Sequence, residues 1–188
     1  MPNLRYALVA YVRSPAGEFV EKLRRELHPA LPHLPAHLTI VPPRPLQGTE
    51  AAALDLAGRI CGQEQPFEVH LGEVETFIPA TPTVYIRVDG AGARMCDLHQ
   101  RLNIDTLAFH EEWPYIPHLT IAKMGGEQAA EDACRVARER WMQYAGSKCV
   151  LVDKLTFVRE DAPNHWVDLA AVPLGGELVA SRPSGHRS

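Results

Sequence analysis

The sequence has few cysteines and no long apolar run, and both shortages limit the classes of protein that it can represent. Its four cysteines are scattered without a Cys-x-x-Cys pair, which indicates reduced thiols rather than a disulfide framework or a zinc ribbon. No apolar stretch approaches the length of a membrane span, and the apolar start at residues 4–12 is interrupted by Arg5. We therefore expect a cytoplasmic protein without a signal peptide and without a membrane partner.

A glycine-rich phosphate loop, a Gly-x-Ser-x-Gly elbow and an excess of positive charge are also missing. The net charge of −4 gives no reason to expect a duplex DNA partner, although a local site for one phosphate is compatible with it. With 46% hydrophobic residues, the 188-residue chain is long enough to bury a core. We expect a monomer with one domain over residues 1–180 and a flexible tail at 181–188.

Apolar periodicity predicts strands and helices that alternate along the chain. Strands are predicted at residues 4–12, 36–41, 67–77, 83–88, 117–123, 149–159 and 165–173. Helices are predicted to start at Ser14-Pro15 and to cover residues 49–61, 90–103 and 127–144. Each half of the sequence has the same order of elements. A helix leads into a strand that carries a repeated tetrapeptide, and this strand is followed by another helix and then by a pair of strands. This order indicates a degenerate internal duplication, with two α+β lobes facing each other across a shared cleft.

The repeated tetrapeptide is His-Leu-Thr-Ile, at residues 37–40 and 118–121. Residues i and i+2 of a strand share a face, so each copy presents an imidazole and a hydroxyl to one side and two aliphatic side chains to a core. Two such strands at one cleft suit a phosphodiester, because one imidazole can act as general base and the other as general acid while the hydroxyls donate to phosphate oxygens. This scheme needs no metal. The alternative is a pair of ordinary edge strands whose polar faces carry His and Thr.

The motifs, in segments 35–41 and 115–122, resemble the hallmark of the two-histidine (2H) phosphoesterase superfamily, which includes the RNA 2′,3′-cyclic phosphodiesterases also called 2′-5′ RNA ligases. The spacer is similar as well, with Phe77 followed by a Val-Tyr-Ile strand at 84–86. The resemblance covers residues 4–173. It implies a bilobal, pseudo-symmetric α+β fold in which two antiparallel-sheet lobes surround a central cleft and the helices lie outside.

The resemblance also implies an activity and a set of catalytic residues, which are His37, Thr39, His118 and Thr120. His118 is the implied base toward water, His37 is the implied acid toward the leaving ribose oxygen, and no cofactor is implied. The reaction is metal-independent hydrolysis of a 2′,3′-cyclic phosphate, on an RNA end or a nucleotide, to a 2′-phosphomonoester, with reverse 2′-5′ RNA ligation. Two alternatives stay open: hydrolysis of another small cyclic phosphodiester such as ADP-ribose 1″,2″-cyclic phosphate, and a nucleotide- or RNA-end-binding module without turnover.

Four further residues are candidates for substrate binding: Phe77, Tyr115, Lys123 and Arg44. Phe77 would stack on a nucleobase or ribose, and Tyr115 would hydrogen-bond a phosphate oxygen or stack on a base, with packing as the alternative for both. Lys123 and Arg44 each follow a motif and would add positive charge near a phosphate. The alternative for these two cations is an exposed position at a strand end.

Other polar residues are expected to lie outside the site. His28, His33 and His37 form a histidine cluster, but the prolines between them oppose a metal-binding geometry, so no metal is expected. His99 is expected to be a surface or packing residue. The adjacent carboxylates Glu111-Glu112 diverge in an extended segment and are expected in a solvated turn.

Overall fold

The computed structural model describes residues 4–28 and 34–176, so His33 and the predicted tail at 181–188 lie outside the described residues. The described strands are β1 (Arg5–Tyr11), β2 (His37–Arg44), β3 (Phe67–Thr76), β4 (Thr83–Asp89), β5 (His118–Lys123), β6 (Cys149–Val152), β7 (Lys154–Ala162) and β8 (His165–Pro173). The described α-helices are α1 (Pro15–Leu27), α2 (Glu50–Gly62), α3 (Gly92–Leu102) and α4 (Glu127–Met142), and a 3-10 helix spans Asp105–Leu107. None of these helices is long and apolar enough to cross a membrane.

The eight described strands form one antiparallel sheet with the order β6-β3-β4-β5-β2-β1-β7-β8. Two four-stranded halves meet where β5 lies beside β2. The two halves have matching strand orders. From the centre outward, one half runs β2, β1, β7 and the other runs β5, β4, β3. β6 lies at one edge of the sheet and β7 lies next to the opposite edge, yet only Asp153 separates them in sequence. The two edges must therefore come close together, which requires the sheet to curl. This is the predicted α+β architecture of two antiparallel halves.

The α-helices cover one face of the sheet. The aliphatic motif residues Leu38, Ile40, Leu119 and Ile121 are fully buried in the core beneath them. Burial of each such side chain contributes about 1.5–3 kcal/mol. The helices cross between the halves: α1, which leads into β2, packs on β5, and α3, which leads into β5, packs on β2. Each motif strand is therefore covered by the helix that precedes the other motif.

The starts of the first two helices follow from local sequence. Ser14 caps α1, where its Oγ accepts a hydrogen bond from the N–H of Gly17 at 3.3 Å, and a proline occupies the first helical position. Thr49 caps α2 in the same way through the N–H of Ala52 at 3.1 Å. Glycine is required at position 17, because a Cβ there would lie 1.8 Å from the carbonyl oxygen of Val12. These local signals explain why the predicted helix starts are confirmed.

The second strand is longer than predicted. It continues through Pro42 and Pro43 to Arg44, whereas the sequence predicted an end at Val41. The β1–β2 ladder pairs Val41 and Arg44 but skips both prolines, so their missing N–H groups fall at an irregularity of the ladder. A strand can therefore run through this Pro-Pro pair.

The predicted strand at residues 149–159 is two strands. β6 pairs with β3 in one half, and β7 pairs with β1 and β8 in the other. The break falls at Asp153, where the sequence carries no glycine or proline to mark it. β3 and β1, the partners that place β6 and β7 in different halves, are distant in sequence, so the apolar pattern alone could not separate the two strands.

Candidate active site

The polar residues of both motifs lie on the sheet face opposite the helices, here called the motif face. β2 and β5 run antiparallel, and the register pair between them joins Leu38 to Leu119, the same position of the two tetrapeptides. The neighbours of this pair along the two strands are His37, Thr39, His118 and Thr120. All four are partly buried. The structure therefore brings the predicted catalytic side chains together on adjoining strands.

Each motif imidazole is fixed by the same kind of local hydrogen bond. Nδ1 of His37 lies 2.7 Å from the carbonyl oxygen of Pro35, and Nδ1 of His118 lies 2.6 Å from that of Ile116. Because a carbonyl oxygen only accepts, Nδ1 carries the hydrogen in both rings. The nitrogen left for a substrate is Nε2, which in the neutral ring has the lone pair that a general base requires.

The surroundings of both imidazoles favour the neutral form. Burial lowers the pKa of His37 to about 4; the hydrogen bond to Pro35 opposes this shift, and the charges of Arg24 and Lys123 add to it. Burial also lowers the pKa of His118, again with a contribution from Lys123. A bound phosphate anion would act in the opposite direction, since a negative charge favours the protonated ring. Protonation of a general acid here would thus be coupled to substrate binding.

An aromatic pair stands beside His118. Phe77, which follows β3, stacks on Tyr85 of β4 with ring centroids 4.0 Å apart and planes at 22°. Both rings meet the His118 ring edge-on, with centroid distances of 4.9 Å for Phe77 and 5.4 Å for Tyr85. The Tyr85 hydroxyl donates to Glu75 at 3.0 Å, which holds the pair in place. The predicted residue Phe77 therefore lies next to a motif imidazole, and Tyr85 joins it there.

Sequence reasoning missed the residues that face the imidazoles from the neighbouring strands. Tyr11 of β1 is opposite His37, and Arg87 of β4 is opposite His118. The Tyr11 hydroxyl donates to Asp168 of β8 at 2.5 Å, while Arg87 is held by two nearby carboxylates. These positions follow from strand register, and no local pattern in the sequence reveals that register.

Lys123 ends β5 within electrostatic range of both imidazoles, since its charge lowers the pKa of His37 and of His118. Its backbone N–H donates to Nδ1 of His28 at 3.3 Å, which fixes the end of the strand. Lys123 is exposed at the end of its strand, the position that was its alternative prediction, and its charge contributes to the lowered pKa of both motif histidines.

The structure contradicts the prediction that Arg44 binds a phosphate, because this side chain is fully buried. Its guanidinium donates to Oδ1 of Asn103 at 2.7 Å and to the carbonyl oxygen of Leu107 at 3.1 Å, and it forms an ion pair with Glu111. Glu111, expected in a solvated turn, is partly buried and also accepts from His99. A guanidinium with these partners is occupied within the fold.

Tyr115 has the packing role that was its alternative prediction. Its hydroxyl donates to the carbonyl oxygen of Thr39 at 2.7 Å. Its ring stacks on His99, with centroids 4.1 Å apart and planes at 6°. The hydroxyl that was expected to reach a phosphate therefore contacts the backbone of the first motif instead.

Solved structures of other proteins share this fold. E. coli LigT, solved with NADP+, aligns with a TM-score of 0.62 at 17% identity, over 93% of this chain and 99% of that one. The protein TT0787 of Thermus thermophilus also has a TM-score of 0.62, at 19% identity, over 92% of this chain and 99% of that one. The curled sheet with its helices on one face is thus the LigT-type α+β fold, as predicted.

Sequence comparison shows the family. The model of the 2′-5′ RNA ligase superfamily matches residues 12–164. A protein of Halalkalibacterium halodurans named as a phosphoesterase is 21% identical over 175 residues, which are 93% of this chain and 99% of that protein. A similarly named protein of Oceanobacillus iheyensis is 25% identical over 121 residues, or 64% and 71% of the two chains. The chain belongs to the 2′-5′ RNA ligase superfamily, which confirms the family resemblance of its motifs.

Proposed function

We propose that this protein hydrolyses a 2′,3′-cyclic phosphate, on an RNA end or a nucleotide, to a 2′-phosphomonoester by general acid–base catalysis. The observation that carries this proposal is the matched pair of imidazoles. On adjoining strands of one face, His37 and His118 each donate Nδ1–H to a backbone carbonyl and leave Nε2 for the substrate. A reaction that needs one proton removed and one delivered suits such a pair.

In the proposed reaction His118 is the base and His37 is the acid. Nε2 of His118 takes a proton from water while the water oxygen bonds to phosphorus. The bond between phosphorus and the ribose 3′-oxygen breaks, and Nε2–H of His37 delivers its proton to that oxygen. The products are a 2′-phosphate and a 3′-hydroxyl. A ribose 5′-hydroxyl in place of water gives a 2′-5′ linkage by the same step.

The charges around the site support the binding of an anion. Thr39 and Thr120 flank the imidazoles and have hydroxyls that can donate to the non-bridging phosphate oxygens, and Lys123 adds positive charge. In the free protein burial, with a smaller contribution from nearby positive charge, lowers the pKa of His37, so we propose that its proton is taken up when the phosphate binds.

Phe77, a partly exposed ring beside His118 that is backed by the buried Tyr85, favours a substrate with a nucleobase over a base-free cyclic phosphodiester. Stacking on an aromatic face is worth about 1–3 kcal/mol per base. E. coli LigT, which shares the fold, has been crystallised with 3′-AMP and with phosphate, and we propose a related nucleotide ligand for this chain. A monomeric state and a cytoplasmic location stay predictions from the sequence.

Replacement of either imidazole tests the proposal. With 2′,3′-cyclic AMP as substrate, His37→Ala and His118→Ala should each lower kcat at least a hundredfold, the scale of a lost general acid or base. His165→Ala, at an exposed position on β8, is the matched control and should keep full activity. The product is identified by phosphorus NMR as the 2′-phosphomonoester.

Three results would contradict the proposal in different ways. Activity retained in either motif variant would remove that histidine from the chemistry. A preference for ADP-ribose 1″,2″-cyclic phosphate would assign another small phosphodiester as the substrate. Tight binding of 2′-AMP by the wild-type protein without hydrolysis of any cyclic phosphate would identify a binding module.

A further inference from the structure

The pairing of the first motif strand is interrupted on both sides, after Leu38 toward β5 and after Thr39 toward β1. In the described part of the sheet, β5 pairs with β2 at Leu38 alone. On the other side, the β1–β2 register shifts between Thr39 and Val41, so Ile40 is left out of the ladder. The Thr39–Ile40 segment therefore has fewer ladder partners than the rest of β2, and other groups are needed to satisfy and hold its backbone.

Two side chains supply the missing hydrogen bonds. The hydroxyl of Tyr115 donates to the carbonyl oxygen of Thr39 at 2.7 Å, and Nδ1 of His99 lies 2.7 Å from the carbonyl oxygen of Ile40. The two rings stack face to face. Tyr115 also lies in the segment just before Ile116, whose carbonyl fixes the second imidazole. One side chain therefore connects the approach to the second motif with the backbone of the first.

The position of His99 is itself fixed by charged groups. Its Nε2 lies 3.0 Å from Glu111, whose other carboxylate oxygen pairs with Arg44 at the end of β2. Both ring nitrogens of His99 therefore lie within hydrogen-bond distance of oxygen atoms of the fold. The carboxylate of Glu111 thus links two points of the same strand, the carbonyl of Ile40 through His99 and the guanidinium of Arg44.

We propose that Tyr115 and His99 are positioning residues, which hold the Thr39–Ile40 backbone and so set the separation of His37 from His118. Neither residue needs to touch the substrate, because its polar atoms are used within the fold. An error of about 1 Å in the placement of a catalytic group can cost a hundredfold in rate. The kinetic part of this inference rests on the proposed function, since kcat is one of its readouts.

Tyr115→Phe removes one hydroxyl and keeps the stacked ring. Its matched control is Tyr6→Phe, which also removes a tyrosine hydroxyl hydrogen bond, to Glu50 at 2.7 Å, on the helix side of the sheet. Both variants should lower the urea midpoint to a similar extent. Tyr115→Phe should lower kcat about tenfold without changing KM, whereas Tyr6→Phe should keep kcat.

His99 allows a second comparison, because an amide can replace either ring nitrogen. The side-chain nitrogen of Asn lies near the place of Nδ1 and can still donate to Ile40, whereas that of Gln lies near Nε2 and can donate only to Glu111. We expect His99→Asn to keep a larger share of kcat than His99→Gln. Equal losses in the two variants would contradict the assigned role of the Ile40 carbonyl.

A readout that does not need turnover separates this inference from the proposed function. The imidazole NMR resonances of His37 and His118 should move in Tyr115→Phe and stay in place in Tyr6→Phe. Unmoved resonances together with an unchanged kcat would overturn the positioning role. A rise in KM at constant kcat would also overturn it, because that result identifies Tyr115 as a substrate contact. Moved resonances in Tyr115→Phe, with a wild-type protein that lacks hydrolase activity, would contradict the proposed function alone.

Discussion

The lowered pKa of His37 predicts that this residue makes the fold sensitive to acid. An ordinary histidine in an unfolded chain has a pKa near 6.5, whereas burial lowers that of His37 to about 4 in the folded protein. Between these values the unfolded chain binds a proton that the folded chain does not. The free energy of unfolding must therefore fall as the pH drops through this window, and the loss is absent above it.

The size of the effect follows from the two pKa values. Integration of the proton linkage from pH 7 to pH 5 gives a loss of about 2 kcal/mol through this one group. His37→Asn removes the titrating ring but keeps a side-chain N–H near the place of Nδ1, where it can still donate to Pro35. The variant should therefore lose about 2 kcal/mol less than the wild type over the same change of pH.

Urea unfolding at pH 7 and at pH 5 measures this difference. The control is Val9→Ala, on the strand beside β2, which removes buried methyl groups and changes no titrating group. It should lower stability by the same amount at both pH values. If the wild type and His37→Asn lost equal stability between pH 7 and pH 5, the reasoning that burial keeps this imidazole neutral would be wrong.

Two further predictions concern the groups around the imidazoles. Lys123→Gln should move the acid limb of the pH profile of kcat/KM to higher pH, because loss of its charge raises the pKa of both His37 and His118. The control is Lys154→Gln, at the exposed start of β7, which should leave the profile unchanged. Phe77→Leu should raise KM for 2′,3′-cyclic AMP about tenfold through the loss of base stacking and leave KM for ribose 2′,3′-cyclic phosphate unaltered. An equal rise for both substrates would argue against a base-stacking role.

The parts of this fold that were predictable are those that local chemistry determines. The alternation of His37, Leu38 and Thr39 assigns polar and buried faces whatever the strand pairs with. Ser14 and Thr49 cap helices through hydrogen bonds to residues three positions later. For the same reason both motifs could be assigned to strands before their partners were known.

The failures all involve partners that are distant in sequence. Arg44 was expected near a phosphate because it follows the first motif, but its ion pair with Glu111 spans 67 positions. His99 packs in the fold, which was one of its two expected roles, but its bond to Ile40, which spans 59 positions, was not predicted. A sequence pattern shows which residues can form such bonds, but the pairing of the strands decides which ones do.

The two matching halves of the sheet give two similarly placed imidazoles, and their surroundings make them chemically different. Lys123 lowers the pKa of both rings, whereas Arg24 adds to this effect at His37 alone and His118 lies against the edges of an aromatic pair. A ring with a depressed pKa gives up a proton readily once a phosphate anion has induced it to take one up. This difference supports the proposed roles, in which His37 donates to the leaving oxygen and His118 accepts from water. The repeated tetrapeptide alone could not distinguish these roles, because the groups that break the symmetry lie outside it.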